Sequence, residues 1–201
     1  MGEGKVKMAD PMMSENLVKK KKLLLHVCCA PCASGCLGML EEGGRQFTLY
    51  FSNSNIWSRE EYEKRLRSVE KLASLCRLDL QVDPYDHASW LDSISMLENA
   101  PDFPEGGARC RLCFEWSLAR TAEAALKEGM NFCTTLTVSP HKSSRVIFEA
   151  GARFPGFEPW DFKKKDGFKK SVELSRRYGL YRQNFCGCGF SLSRTLKPFS
   201  S

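Results

Sequence analysis

Residues 23–32 of the chain are Leu-Leu-Leu-His-Val-Cys-Cys-Ala-Pro-Cys, and this stretch decides the interpretation of the fold. A short apolar run that stops at cysteines and a proline is typical of a buried strand followed by a turn. Three later segments have the same strand character: FTLYFSN (47–53), LDLQV (78–82) and FCTTLTV (132–138). Segments with helical spacing lie between them. This alternation predicts an α/β fold, a parallel sheet flanked by helices on both faces.

The longest predicted helix has a clear start signal. Ser58 stands three residues before Glu61, which is the spacing of a capping box, and the apolar positions keep helical spacing as far as Cys76. Other helices are predicted near 32–42, 90–97, 143–152 and 168–178, with one more beginning near Cys110. In such a sheet, ligands bind at the carboxyl ends of the strands, where the first cysteines stand.

Length and composition limit the class of protein. The chain has 201 residues, 42% hydrophobic and 27% charged, which predicts one globular domain and excludes collagen-like, disordered and membrane-spanning classes. The first 22 residues lack the apolar stretch of a secretory signal. We therefore expect a disordered tail over 1–21, a single metal-cluster-bearing α/β domain over 22–201, a cytoplasmic location and no membrane partner.

Ten cysteines are unusual for a chain expected in a reducing compartment. Seven of them form three close-spaced groups: Cys28-Cys29-x-x-Cys32, Cys110-x-x-Cys113 and Cys186-x-Cys188. Thiolates are the ligands that zinc and iron–sulfur clusters select. Seven exceed the four that one such centre uses, so the surplus requires a second metal or a dithiol, for which Cys186 and Cys188 are candidates. The remaining three have apolar neighbours and are predicted to be inert core thiols: Cys36, Cys76 and Cys133.

A zinc that only holds the fold together is the alternative to a catalytic metallocentre. Such staples serve chains well under ~80 residues, and this chain is long enough to fold around an ordinary core. We therefore favour a catalytic centre.

The net charge of +6 is concentrated in two segments. Residues 1–22 carry +3 and residues 161–182 carry +5, on a body that is slightly acidic. Clustered Lys and Arg favour a polyanionic partner, because they release its condensed counterions. An ordinary solvated helix face explains the charge of 161–182 equally well.

Six segments, in order, resemble the QueH family of epoxyqueuosine reductases. They are HVCCAPC (26–32), NSNIWSREEYEKR (53–65), ARCRLCFEWSL (108–118), TTLTVSPHKS (134–143), DFKKKDG (161–167) and LYRQNFCGCGFS (180–191). The resemblance implies a fold similar to the adenine-nucleotide alpha-hydrolases and PP-loop enzymes (the HUP fold). The phosphate-binding S-G-G-x-D-S loop of those enzymes is absent, and CCAPCAS stands in its place. We therefore expect no ATP chemistry.

The resemblance implies the last step of queuosine biosynthesis, the reduction of epoxyqueuosine to queuosine at the wobble position of tRNA. It further implies that a [4Fe-4S] cluster is bound by four cysteines: Cys28, Cys29, Cys110 and Cys113. Cys32 is either a further metal ligand or a structural thiol. Cys186 and Cys188 would form a redox-active pair or help to hold a second, mononuclear iron, for which Asp161 is another candidate ligand.

The reaction also requires a proton donor, a binding surface for tRNA and an external electron donor. Four residues are candidate proton donors, namely His26, Asp86, His141 and Asp161, and we favour His141 because it follows Pro140 in a loop after a strand. Basic residues of the 161–182 segment would contact phosphates: Lys163, Lys164, Lys165, Lys169, Arg176 and Arg182. Trp57 would stack on an anticodon base.

Two other functions compete with the reductase. A PP-loop-related tRNA-thiolation enzyme would require ATP, and the missing phosphate loop argues against it. A non-enzymatic, zinc-bearing RNA-binding module would lose its fold when the metal is removed.

Overall fold

The structure is a computed structural model that describes residues 20–97 and 103–190. Most of the predicted tail, residues 1–19, lies outside the described residues, as do residues 98–102 and the C-terminal residues 191–201.

A four-stranded parallel sheet forms the centre of the molecule, in the order β3-β2-β1-β4. The strands are β1 (Leu23–His26), β2 (Phe47–Phe51), β3 (Leu80–Val82) and β4 (Asn131–Thr134). β1 is central and wholly buried, which explains why its sequence is a continuous apolar run instead of an alternating one. Leu23 and Leu25 enter one hydrophobic cluster and Leu24 another, as the two-residue period of a strand requires.

Six α-helices are found in the described part of the chain. They are α1 (Ala30–Glu42), α2 (Arg59–Cys76), α3 (His87–Ser95), α4 (Ala108–Lys127), α5 (Ser144–Gly151) and α6 (Gly167–Arg177). Residues of α1 and α2 pack with Leu23 and Leu25, whereas residues of α4 and α5 pack with Leu24 on the opposite face. The predicted α/β class, with helices on both faces of a parallel sheet, is confirmed. No helix within the described ranges has the length and apolar character needed to cross a bilayer.

Several boundaries differ from the sequence-based prediction: α3 begins three residues before the expected Trp90, β3 begins at Leu80 and not at Leu78, and two further differences have a clear cause. The segment 132–138 was expected to be a strand throughout, but β4 ends at Thr134 and residues Thr135–Val138 form a 3₁₀ turn. The Thr134 hydroxyl accepts a hydrogen bond from the Leu136 amide at 3.1 Å, which diverts the backbone from the sheet. Pro31 lies in the first turn of α1 and not in the turn before it. Proline is tolerated there because the amide hydrogen that it lacks would have no hydrogen-bond partner in the first turn of a helix.

The start of α2 only partly follows the predicted capping box. The Ser58 hydroxyl accepts a hydrogen bond from the Glu61 amide at 3.3 Å, as expected. The Glu61 carboxylate, however, binds Arg65 and Tyr181 at 2.7 and 2.8 Å. A tertiary contact thus takes the side chain that the capping box would have used.

Helices α1 and α6 approach each other unusually closely. A Cβ atom added to Gly35 of α1 would lie 2.6 Å from the carbonyl oxygen of Gly167 and 2.9 Å from Cβ of Ser171, both on α6. Only glycine fits this position of α1. The contact joins the helix that follows Cys29 to the helix that carries much of the basic segment.

Candidate metal centre

The cysteines gather at the carboxyl edge of the sheet, where the chain order reverses. The chain runs outward from β1 to β2 and β3, and then returns to place β4 on the other side of β1. In open α/β sheets, such a switch point leaves a crevice outside the strand ends. Cys28 and Cys29 follow β1 directly, and Thr135 follows β4 and accepts a hydrogen bond from the Cys28 amide at 3.1 Å.

Cys28, Cys29 and Cys32 form a compact group. Their three Sγ atoms all lie within 4.8 Å of one another, which is close enough to hold a metal ion together. Cys29 is the N-cap residue of α1 and has an extended backbone, so the chain turns sharply between the strand and the helix. Cys32 then returns to the same side from the first helical turn.

The pKa values of the three thiols shift in different directions. Hydrogen bonds from Cys28 and Cys32, from the Gln183 side chain and from the Cys32 amide lower the pKa of Cys29 well below its ordinary value, against the effect of burial. The hydrogen bond with Cys29 is the main reason that the pKa of Cys28 rises to about 12. Cys29 is therefore the thiol of this group that loses its proton most easily, and metal binding would displace the protons of the others.

Two adjoining cavities are lined by all seven cysteines of the three groups. The larger, of about 640 Å³, is lined by Cys28, Cys29, Cys32, Cys113 and Cys186. The smaller, of about 140 Å³, is lined by Cys110, Cys113, Cys186 and Cys188. Cys113 and Cys186 belong to both walls. The tertiary structure thus brings together groups that are separated by 70 residues or more of sequence.

Cys110 and Cys113 lie in the first turns of α4 and differ in their contacts. The Cys110 thiol accepts a hydrogen bond from the Gly106 amide at 3.2 Å. Burial is the main cause that raises the pKa of both thiols, and nearby Cys186 adds to it. Both are protonated at neutral pH.

Cys186 has the opposite tendency. A hydrogen bond from Cys188, helped by the positive charge of Lys142, lowers its pKa to about 6 although burial opposes the charge. A thiol with this pKa is largely thiolate at neutral pH, which is the reactive form of cysteine.

Lys142 is a functional candidate that the sequence analysis did not identify. It lines both cavities next to His141. Burial opposes its charge, but the neighbouring Cys186, Cys28 and Cys32 raise its pKa above the ordinary value, so that it stays protonated. The Lys163 ammonium donates to the Lys142 carbonyl at 2.7 Å and supports this loop from behind. A lone lysine after a Ser-Pro-His segment was the only sequence signal.

The four candidate proton donors lie in different surroundings. His141 is exposed and lines both cavities, and its role as proton donor stays a prediction. His26 also borders the larger cavity, but it is buried between the Thr134 hydroxyl and the Ser52 carbonyl, and burial lowers its pKa to about 4, which indicates a neutral core histidine. Asp86 caps α3 through Ser89.

Asp161 lies apart from the cysteines. Its carboxylate accepts hydrogen bonds from the Ser144 hydroxyl at 2.9 Å and the Lys163 amide at 3.3 Å. It is not among the residues that line either cavity. Its predicted role as an iron ligand stays a prediction.

The predicted tRNA-contacting residues divide into exposed and internal ones. Lys163 is held internally by the Lys142 carbonyl and the Ser144 hydroxyl, both at 2.7 Å. Arg182 lines the larger cavity and stacks over Phe168, with its guanidinium 5.4 Å from the ring centre. Trp57 is 52% exposed and packs beside Gly189. The others are exposed on and just before α6: Lys164, Lys165, Lys169 and Arg176.

The remaining three cysteines lie away from both cavities. Cys36 and Cys133 are fully buried in the core beneath the sheet face that α1 covers, as predicted. Burial raises the pKa of both thiols well above the ordinary value, which makes them unreactive. Cys76, at the end of α2, is only partly buried.

Comparison with known proteins relates this arrangement to one family. The family model described as "Epoxyqueuosine reductase QueH" matches residues 23–194. Proteins of that name from Streptococcus pyogenes serotype M1 and Staphylococcus epidermidis are 34% and 33% identical to the chain, over 86% of it and over 71% and 77% of their own lengths. One from Thermotoga maritima is 35% identical over 85% of the chain and 90% of its own length. A match over most of the chain, with relatives above 30% identity, is too extensive for a shared motif alone: the chain belongs to the epoxyqueuosine reductase QueH family.

Proposed function

We propose that this protein is an oxidoreductase that reduces epoxyqueuosine to queuosine at the wobble position of tRNA, the last step of queuosine biosynthesis. One observation carries the proposal: seven cysteines of three separate groups line two adjoining cavities at the switch point of the sheet. The name of the relatives states the reaction, and the cysteine-lined cavities would be its site.

The thiol groups suit an iron–sulfur cluster as the resident cofactor. Three Sγ atoms lie within 4.8 Å of one another, the pKa of the Cys29 thiol among them is lowered by hydrogen bonds from its neighbours, and Cys113 lines the same cavity. Cys28, Cys29, Cys110 and Cys113 would hold the [4Fe-4S] cluster. Cys186 and Cys188 would either help to hold a mononuclear iron as a second metal or act as a redox-active pair. A bound cluster would supply electrons one at a time, and a second iron would supply Lewis-acid character.

Cys186 and Cys188 would supply the chemistry that belongs to the chain itself. The net reaction adds two electrons and two protons to an epoxide and releases water, which leaves an alkene. Oxidation of Cys186 and Cys188 to a disulfide releases two electrons, so one such oxidation balances the electrons of one turnover. Because Cys186 is largely a thiolate, the pair supplies one proton and water supplies the other. An external reductant must then cleave the disulfide. The low pKa of Cys186, about 6, makes its sulfur a good leaving group when the external reductant cleaves the disulfide.

Lys142 would stabilise the charge on the leaving oxygen of the epoxide, and His141 would provide its proton. Both line the two cavities, and Lys142 stays protonated beside the thiolates. A positioned ammonium stabilises negative charge that develops on the oxygen, and the exposed imidazole of His141 exchanges protons with water.

The mouth of the larger cavity would receive the anticodon. Arg182 and Phe168 line it as a stacked pair, and exposed basic residues of α6 continue from this point. Phosphate contacts would position the tRNA, while the aromatic rings of Phe168 and Trp57 stack on splayed bases.

The two alternative functions have less support. A thiolation enzyme of PP-loop ancestry would place the phosphates of ATP at the helix start after β1, and three cysteines occupy that start here. A structural zinc module would not require a cavity of about 640 Å³ beside its thiols.

The first test is anaerobic purification followed by measurement of iron, acid-labile sulfide and zinc per chain, together with turnover of tRNA that contains epoxyqueuosine. About four irons with matching sulfide, and conversion of the epoxide, are expected. Stoichiometric zinc without sulfide and without turnover would support the structural module. ATP binding at equilibrium would support the thiolation enzyme.

A pair of variants then decides the fourth ligand. Cys32→Ala and Cys110→Ala each remove one thiol, and Cys36→Ala removes a core thiol as a matched control. If Cys110 is the ligand, its removal lowers iron and sulfide content, while Cys32→Ala retains both. The opposite pattern would assign the cluster to the compact Cys28, Cys29 and Cys32 group.

A further inference from the structure

One face of α2 has buried polar residues where an apolar stripe would be expected. Glu61, Arg65 and Ser68 are only 8%, 5% and 7% exposed, and their spacing places them on one side of the helix. We call these three residues the polar seam. The core contacts of α2 are made by other residues, among them Val69 and Leu72, so the packing of the helix on the sheet does not explain the seam.

Every residue of the polar seam contacts the segment that leads to Cys186 and Cys188. The Ser68 hydroxyl accepts a hydrogen bond from the Tyr181 amide at 3.0 Å, and the Tyr181 hydroxyl donates to the Glu61 carboxylate at 2.8 Å. The Arg65 guanidinium lies 5.4 Å from the centre of the Phe185 ring. The seam therefore holds both ends of the segment 181–185, with two hydrogen bonds at Tyr181 and one ring contact at Phe185.

Arg65 also lies against the backbone between the two cysteines. A Cβ atom on Gly187 would be 2.9 Å from Nη1 and 3.1 Å from Nη2 of Arg65. Gly187 has φ +107°, a conformation that L-residues rarely adopt. Its carbonyl accepts a hydrogen bond from the Trp57 amide at 3.1 Å, just before α2 begins. The turn that separates Cys186 from Cys188 thus packs between the Arg65 guanidinium and the Trp57 backbone.

Stability alone does not account for a guanidinium at this position. Arg65 pairs with Glu61 at 2.7 Å, but its Nη2 atom is buried with no hydrogen-bond partner among the described residues. Buried ion pairs are often no more stabilising than apolar side chains of similar volume, and an unpaired buried donor has a further cost. The planar guanidinium does provide a rigid, flat surface for the glycine turn.

We infer that the polar seam of α2 positions the Cys186–Gly187–Cys188 turn against the other cysteines, with Arg65 as the positioning residue. This inference rests on the proposed redox role of Cys186 and Cys188. Arg65 acts through the turn: it fixes the orientation of the two thiols relative to each other and to Cys113.

The test compares Arg65→Gln with Arg67→Gln in the full-length, metal-loaded protein. Arg67 lies on the same helix, is exposed and pairs with Glu63 at 3.8 Å, which makes it a matched control. The main readout is the rate at which iodoacetamide alkylates each cysteine, followed by mass spectrometry. In Arg65→Gln, we expect Cys186 and Cys188 to react about 10- to 100-fold faster, because the local opening of the turn becomes easier, while Cys28 and Cys29 keep their rates. Arg67→Gln should match the wild type.

Kinetics with epoxyqueuosine-containing tRNA provide the second readout. Arg65→Gln should lower kcat and leave KM for tRNA near the wild-type value, and Arg65→Lys should not restore kcat because it lacks the planar group. Equal rates for all cysteines in Arg65→Gln and wild type, or an equal acceleration of every cysteine, would overturn the inference.

A milder variant covers the case in which Arg65→Gln fails to fold. Tyr181→Phe removes one hydroxyl from a partly exposed side chain and leaves the Arg65–Glu61 pair intact. It should accelerate the same two cysteines, to a smaller extent, and unchanged rates would again contradict the inference. Because the alkylation rates do not depend on the reaction catalysed, a wild-type protein without reductase turnover would refute the proposed function and still leave the positioning role decided by this readout.

Discussion

The close approach of α1 and α6 gives a prediction with an internal control. Gly35 and Gly38 lie on the same helix, three residues apart. A Cβ atom at Gly35 would lie 2.6 Å from the Gly167 carbonyl oxygen and 2.9 Å from Cβ of Ser171, whereas a Cβ atom at Gly38 would have nothing within 4 Å. Gly35→Ala and Gly38→Ala are therefore the same chemical change in one helix, with and without a steric overlap.

The magnitude follows from two opposing effects. A glycine-to-alanine change in a helix interior gains about 1 kcal/mol of helix stability, and this gain applies to both variants. At Gly35 the overlap is with the backbone and a Cβ atom, which no rotamer change relieves, and overpacking of this kind costs about 1–3 kcal/mol. The helix gain cancels in the comparison, so Gly38→Ala should be more stable than Gly35→Ala by about 2 kcal/mol, or ~4–8 °C in Tm for a chain of this length.

Urea unfolding of the full-length variants at equal metal content measures this difference directly. We expect Gly38→Ala to unfold at a higher midpoint than the wild type and Gly35→Ala at a lower one, with similar slopes. The displacement of α6 should also affect the larger cavity, because Phe168 of α6 lines it. Equal midpoints for the two variants would refute the close helix contact.

Three further predictions concern the ion pair of Asp83 with Arg120, the cavity-lining Lys142, and the basic residues of α6. The Asp83 carboxylate accepts from Arg120 at 2.7 and 3.0 Å; burial alone would raise the pKa of Asp83, but Arg120, Ser52 and Tyr50 lower it below its ordinary value. Its stabilising contribution is therefore present above the unfolded pKa of about 4 and is lost as the pH falls through the folded value, so Asp83→Asn should cost about 2 kcal/mol at pH 7 and flatten the acid side of a stability–pH curve; an unchanged curve would contradict the assignment. Lys142→Gln should lower kcat at least about 100-fold and Lys142→Arg less, and a glutamine variant with near-normal turnover would remove Lys142 from the proposed chemistry. Lys169→Glu should weaken tRNA binding at low salt and reduce the salt dependence, whereas Lys127→Glu, at the end of α4 that precedes β4, should not; equal effects would indicate a nonspecific charge effect.

Much of the fold was accessible from local patterns. The apolar run of β1, the strand character of 47–53 and the Ser58 N-cap were predicted and confirmed, because each depends on neighbouring residues along the chain. The strand over 132–134 was predicted and confirmed, but its continuation over 135–138 was wrong, because a continuous β-type sequence does not reveal that the Thr134 hydroxyl accepts a hydrogen bond from the Leu136 amide. The Glu61 side chain likewise satisfied the local capping rule but is used in a tertiary contact.

The cysteine site divides in the same way. Spacing along the chain identified which thiols occur in groups, since a C-x-x-C motif brings its own sulfurs close regardless of the rest of the fold. Spacing could not indicate that Cys113 and Cys186, which belong to different groups, share a cavity wall. It also gave no reason to consider Lys142 in addition to His141, because that choice depends on which side chains line the cavities with the thiols.

The sequence by itself determined the α/β class, the family and the set of thiols, because hydrophobic period, turn residues and motif order are local properties. Only the tertiary structure decided which groups meet. The order β3-β2-β1-β4 places the ends of β1 and β4 side by side, and this brings Cys28 next to Thr135 across more than 100 residues. The polar seam of α2 and the position of Lys142 beside the thiols have the same origin. Both depend on contacts between segments that are adjacent in space and distant in sequence, which no local pattern reveals.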